Sequence, residues 1–194
     1  MSPWLVLGLG NPGPAYAGHR HNVGYLVVEE LARRTGTSFS APRGLRAEVA
    51  EGRLGLPGVD SVRLILAKSR TFMNETGGAI SRLLAYYKIE LDHLIVVHDE
   101  LDIDPGQLRV KFGGGDNGHN GLRSIRKSIG EGEFYRVRVG VGRPPGRQDP
   151  ADFLLSNFPA AAREAVAVEV NRAADAVESL VTVGLERTQN DFNS

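Results

Sequence analysis

The sequence predicts an α/β domain in which a mixed, mostly parallel twisted sheet is flanked by helices. Three observations predict it. Short apolar runs of strand length alternate with stretches of helical period. The run Leu94–His98 is strongly strand-like, with Leu, Ile and two valines in succession. Glycine makes up 24 of 194 residues, well above the roughly 7% of average proteins, so many tight backbone loops are expected. A length near 200 residues is that of one domain, here residues 1–194, with enough chain to bury a core.

Each element has its own local reason. Trp4–Leu9 is a Leu- and Val-rich run that ends in glycine and reads as a buried strand. Val23–Arg34 places Val23, Leu26, Val27 and Leu31 at helical spacing, and Gly36 follows as a stop signal. Arg46–Glu51 and Val62–Lys68 read as strands around a turn region, Gly52–Asp60. Thr76–Lys88 reads as a helix with Ile80, Leu83, Leu84 and Tyr87 on one side. Leu108–Phe112 and Arg136–Val141 alternate with period two, and the first is expected to add a hairpin. Between them, Gly113–Gly121 is a glycine loop, and Asn120 is the expected cap of the helix that follows. Ala160–Val183 is a long helical pattern, acidic on its polar positions.

Composition removes several classes of function. There is no cysteine, hence no disulfide, thiolate metal site or cysteine nucleophile. No apolar run approaches the roughly 20 residues of a membrane span. The N-terminus lacks the basic stretch of a signal peptide, so a cytoplasmic protein is expected. The formal charge is zero, but it is segregated: residues 1–89 carry +5, 90–104 carry −6, 105–147 carry +6 and 148–194 carry −5. A basic block of this kind attracts a polyanion locally, although a merely solvated face has the same composition.

Gly8, Gly10 and Gly13 match the G-x-G-x-x-G pattern of dinucleotide sites. However, Pro12 and Pro14 bracket the third glycine, and the helical pattern begins only at Val23. A phosphate loop must run straight into a helix N-terminus. The segment is better read as a sharp turn at a strand's carboxyl end that presents Asn11, the place where α/β sheets put ligands. Other polar residues fall on comparable loops: His21, Asn74, Asp99, His119 and Asn120. Each has a bland explanation as a cap or surface residue. Together they form a kit for water attack on an acyl carbon, with a histidine as base, a carboxylate to fix its tautomer, and neutral amides around the carbonyl. No G-x-S-x-G elbow and no H-E-x-x-H motif occur, so neither a serine triad nor a metal or other cofactor is expected. On the two alternating strands, Arg109 and Lys111 share a face, as do Arg136 and Arg138; with Arg143 and Arg147 they suit a nucleic-acid backbone or a terminal phosphate.

These motifs, taken together, resemble bacterial peptidyl-tRNA hydrolase. The segments that carry the resemblance are GLGNPG with Tyr16 and Arg20-His21-Asn22, Thr71–Gly77, His98–Gly106, Gly113–Ile125 and Arg136–Gly140. It covers nearly the whole chain, in the family's order and spacing. It implies hydrolysis of the ester between a peptide and the 3′-terminal ribose of tRNA, with His21 as general base and Asp99 as its support. It implies that Asn11 favours blocked over free aminoacyl ends, and that Asn74 and Asn120 position substrate and water. Tyr16, Phe72 and Met73 correspond to lining residues, with His119 beside them. Lys111 and Arg138 match a clamp on the tRNA 5′ phosphate, and Arg109 is a further contact. His19 stands where threonine is usual and Ser69 where proline is common. A module of the same fold that binds RNA without cleaving it is the other reading the motifs allow. No apolar surface stripe is evident, which predicts a monomer.

Overall fold

The structure, a computed structural model, describes residues 2–55 and 61–193. Its strands are β1 (Trp4–Gly8), β2 (Ala47–Leu54), β3 (Val62–Ser69), β4 (Leu94–Glu100), β5 (Leu108–Phe112) and β6 (Tyr135–Gly140). Its helices are α1 (Val23–Arg34), α2 (Thr76–Tyr87), α3 (Asn120–Ile129), α4 (Pro150–Leu154), α5 (Arg163–Val183) and α6 (Leu185–Phe192). The strands form one six-stranded sheet in the order β2-β3-β1-β4-β6-β5. The four central strands run parallel, and the edge strands β2 and β5 are antiparallel to their neighbours.

Layering follows from which residues alternate. Leu64, Leu66, Val6, Ile95, Val97, Val137 and Val139 face α1 and α5 on one side. Leu5, Leu7, Ile65, Ala67, Leu94 and Val96 face α2 and α3 on the other. Every residue of β4 is buried, which is why its sequence shows no polar alternation until His98-Asp99-Glu100.

The sequence expectation needs three corrections. First, β2 continues through Gly52 to Leu54 rather than turning there; a Cβ at Gly52 would clash with Thr35 at the end of α1, so this glycine serves close packing. The rest of the expected turn, residues 56–60, lies outside the described residues. Second, β5 forms no tight hairpin: it does pair antiparallel with the next strand, β6, but the whole of α3 lies between them in sequence. Third, the C-terminal helical pattern is a 3-10 turn at Ala160–Ala162 followed by α5, and a further helix, α6, begins after Gly184.

That last helix seals an edge. The outward backbone N–H of Val110 in β5 donates to Asn193 Oδ1 at 2.7 Å, and its carbonyl accepts from Asn193 Nδ2 at 2.9 Å and Gln189 Nε2 at 3.1 Å. Asn193→Ala unpairs this partly buried N–H. A loss of about 1–2 kcal/mol in unfolding free energy is expected, read from urea denaturation.

Candidate active site

The site begins with backbone crossing at short range. A Cβ on Gly8 would overlap the carbonyl of Gly24, and one on Gly24 would overlap that of Val97. These two glycines let the start of α1 press against the ends of β1 and β4. His21, in the 3-10 turn Arg20–Asn22 that opens α1, is thereby brought to Asp99 near the end of β4. His21 Nδ1 lies 2.6 Å from Asp99 Oδ2, and both residues are buried, 6% and 1% exposed. Asp99 oxygens here only accept, so Nδ1 carries the proton and Nε2 keeps its lone pair. Burial alone would lower the basicity of His21. The charge and hydrogen bond of Asp99 outweigh that, and its pKa stands above the ordinary value. Asp99 is itself held well below the usual carboxylate range: burial opposes its ionisation, but His119 and His21 together prevail.

The second imidazole on Asp99 has its own fixed geometry. His119 Nδ1 accepts from the backbone N–H groups of Gly121 at 3.1 Å and Leu122 at 3.4 Å, capping α3. The cap is therefore His119, not Asn120, which is the first residue of the helix. Because Nδ1 accepts, the proton sits on Nε2, which donates to Asp99 Oδ1 at 2.7 Å. His98 lies behind, its Nδ1–H on the carbonyl of Asp99 at 2.7 Å and its Nε2 buried without a partner. Burial, with His119 next to it, pushes the pKa of His98 down to about 3.

Asn11 is held from three sides. Its backbone N–H donates to Asn22 Oδ1 at 2.9 Å, its carbonyl accepts from Asn22 Nδ2 at 2.8 Å, and its own Oδ1 accepts from the N–H of Met73 at 2.7 Å. That fixes the amide orientation and leaves Nδ2 as the free donor. Asn11, His21, Phe72, Met73, Asn74, His119 and Asn120 all line one cavity of about 290 Å³. Asn74 and Asn120 are exposed there. Tyr16 lies outside that lining, its ring edge-on to Phe72 at 5.8 Å. The remaining wall is apolar, from Leu101, Pro150, Ala151, Leu154 and Leu155. Sequence reasoning missed α4, which supplies most of that wall. Its signal was present: Asp149 caps the helix and Pro150 is its first residue.

His21, Asp99 and His119 bring one ligand-type atom each within 4.8 Å of the others. Those atoms already satisfy one another, and both imidazole nitrogens facing Asp99 carry protons. A metal ion there would have to displace them.

The basic face lies on β5 and β6, outside the cavity. Arg109 is opposite Arg138 and Lys111 opposite Arg136, so all four project from the face away from α5. One of the four is not available. Arg136 is fully buried; it donates to the carbonyls of Gly114, Gly115 and Gly132 and stacks on Phe134 at 4.5 Å. It shapes the glycine loop instead of meeting solvent. Arg138 donates to Glu100 Oε1 at 3.0 Å, and Glu100 also accepts from Asn117 Nδ2 at 2.9 Å. Lys111 has no acidic partner among the described ion pairs. Partial burial, then Arg138 and Arg136, lower its pKa, against a weaker pull from Glu100. Arg143 bonds Asp102 at 2.7 Å.

The sequence profile of the family described as Peptidyl-tRNA hydrolase matches residues 5–194. The peptidyl-tRNA hydrolase of Cutibacterium acnes is 58% identical over all of both chains. That of Streptomyces coelicolor is 54% identical over all of this chain and 96% of its own length. A crystal structure of peptidyl-tRNA hydrolase from Acinetobacter baumannii matches at a TM-score of 0.85 and 34% identity, covering 100% of this chain and 96% of that one.

Among the described residues the Asp99 charge is the only one that raises His21. In Asp99→Asn the imidazole is expected to titrate roughly 1–2 pH units lower than in the parent, measured by NMR. The raised value also has a stability consequence. Its contribution is complete below the unfolded histidine pKa of about 6.5 and disappears as pH rises through the folded value.

Proposed function

This chain belongs to the peptidyl-tRNA hydrolase family, and on that premise we propose how its residues split the ester between a peptide and the 3′-terminal ribose of tRNA. The observation that carries the reading is the buried contact of His21 Nδ1 with Asp99 at 2.6 Å, in a residue that also lines the cavity. With Nδ1–H committed, Nε2 is the base. It takes a proton from a water molecule as the water oxygen attacks the ester carbonyl carbon. Asp99 holds the tautomer and balances the positive charge that forms on the ring. The tetrahedral oxyanion takes hydrogen bonds from neutral amides, for which Asn11 Nδ2 is pre-oriented by Met73 and Asn22. On collapse the ribose 3′ oxygen leaves with the proton from His21, which restores the base.

Asn74, in the 3-10 turn before α2, and Asn120, at the start of α3, are exposed in the cavity and position the water and the acyl group. Phe72 and Met73, with Tyr16 against Phe72, provide the surface for the 3′ end of the substrate, and the α4 wall suits apolar peptide side chains. His119 lies at the edge of this surface.

Lys111 and Arg138 grip a terminal phosphate of the tRNA, with Arg109 next to them. The support is electrostatic. Three exposed or half-exposed cations, Arg109, Lys111 and Arg138, share one sheet face with the buried Arg136, and of the three only Arg138 is bonded to Glu100 among the described residues. An anion relieves that repulsion. The enzyme works as one chain and in the cytoplasm, where peptidyl-tRNA is made. Among the described residues no helix is long and apolar enough to cross a membrane. The reaction uses no metal, because the clustered nitrogens are engaged with Asp99.

With N-acetyl-aminoacyl-tRNA as substrate, His21→Ala is expected to lower kcat at least about 100-fold with tRNA binding retained. A chelator is expected to leave the parent enzyme at full rate. Turnover surviving in His21→Ala overturns the assignment of the base. In the same assay Lys111→Ala with Arg138→Ala raises KM and reduces the slope of log affinity against log salt by about 1–2, with kcat nearly unchanged.

A further inference from the structure

We propose that His119 is a positioning residue: by capping α3 through Nδ1 and donating to Asp99 through Nε2–H, it shares the carboxylate with His21 and so sets how strongly the acid holds the base. The inference deepens the reading of His21 as general base and rests on it.

Four observed contacts carry it. Two backbone N–H groups of α3 point at Nδ1 of His119, at 3.1 and 3.4 Å. A backbone amide can only donate, so this nitrogen cannot carry a proton without breaking the cap. The opposite nitrogen is therefore the donor to Asp99 Oδ1 at 2.7 Å, while His21 occupies Oδ2 at 2.6 Å. Each oxygen of a nearly inaccessible carboxylate thus serves a different ring, and the rings lie 4.9 Å apart.

Sharing has a direction. A donor on Oδ1 draws negative charge away from Oδ2 and weakens the hold on the His21 proton. A base held too strongly is already protonated at working pH and cannot accept from water. His119 thereby tempers the dyad, and the helix N-terminus holds it in the one tautomer that can. The other titratable and charged groups packed here do not substitute for it. His98 of β4 stands edge-on to His119 at 5.0 Å, but its Nδ1–H is spent on the Asp99 carbonyl. Arg136 of β6 acts on His98 and is bonded to the glycine loop. From α4 the cavity receives only Pro150, Ala151 and Leu154.

The decisive variant is His119→Asn. Asparagine is a good helix cap, so α3 keeps its N-terminal acceptor, but its amide is too short to bridge to Asp99 as well. His119→Ser, a second capping residue, guards against a folding defect in the first. Two quantities are read in each: the titration of the His21 ring by NMR, assigned by its absence in His21→Ala, and the acid limb of kcat/KM against pH. Both are expected to move upward by about half to one pH unit. A His21 titration that stays in place or moves down in a folded variant overturns the proposal. If the ring titration rises and the acid limb does not follow, the sharing of Asp99 is upheld and the assignment of His21 as base is what falls.

Discussion

Asp99 is the constraint around which the site is organised. A carboxylate taken out of water is costly unless every lone pair finds a partner. Here the partners are two imidazoles, each donating to its own oxygen. That requirement dictates the tautomer of His21, and with it which nitrogen keeps its lone pair. It dictates the tautomer of His119, and through it the start of α3. Three elements distant in sequence, the turn before α1, the end of β4 and the loop before α3, are thus fixed by a single charge.

Burying that charge needs a scaffold that brings backbone segments nearly into contact. Gly8 and Gly24 do this on one side, where any side chain would collide with a main-chain carbonyl. The G-x-G-x-x-G pattern that imitates a dinucleotide loop is a packing device here. It lets the turn before α1 lie over the strand ends, and it frees Asn11 to be gripped by Asn22 and Met73. Arg136 plays the matching part on the other side, tying down the glycine loop that delivers His119. A guanidinium has donors enough to hold several carbonyls at once, which suits a loop too rich in glycine to hold its own shape.

Much of this was legible in the sequence. The bounds of α1 follow from the spacing of Val23, Val27 and Leu31, and the buried strands from uninterrupted apolar runs. Asn11, His21, Asp99, Asn74 and Asn120 could be named because each lies at a strand's end or just before a helix. What failed did so for physical reasons. Period-two alternation puts Arg136 and Arg138 on one face but cannot say that a loop will fold over one of them. Cap preference favours Asn120, yet the imidazole one residue earlier makes the bond because its other nitrogen has a carboxylate to meet. The α4 wall was invisible to periodicity, since five residues are too few to show a helical repeat. The place of β5 depends on a partner more than twenty residues downstream, which local pattern does not encode.

The two rims of the sheet are guarded differently. β2 carries Glu48, Glu51 and Arg53, and charges of this sort discourage another strand from adding on. β5 is short and is stitched shut by Gln189 of α6 and by Asn193 just beyond it, about eighty residues further along. Its protection is therefore acquired late. A chain interrupted upstream of α6 would bear a naked hydrogen-bonding edge beside Lys111, a ready template for self-association. Quality control of unfinished copies would then meet a polymerisation hazard at the rim that carries Arg109 and Lys111.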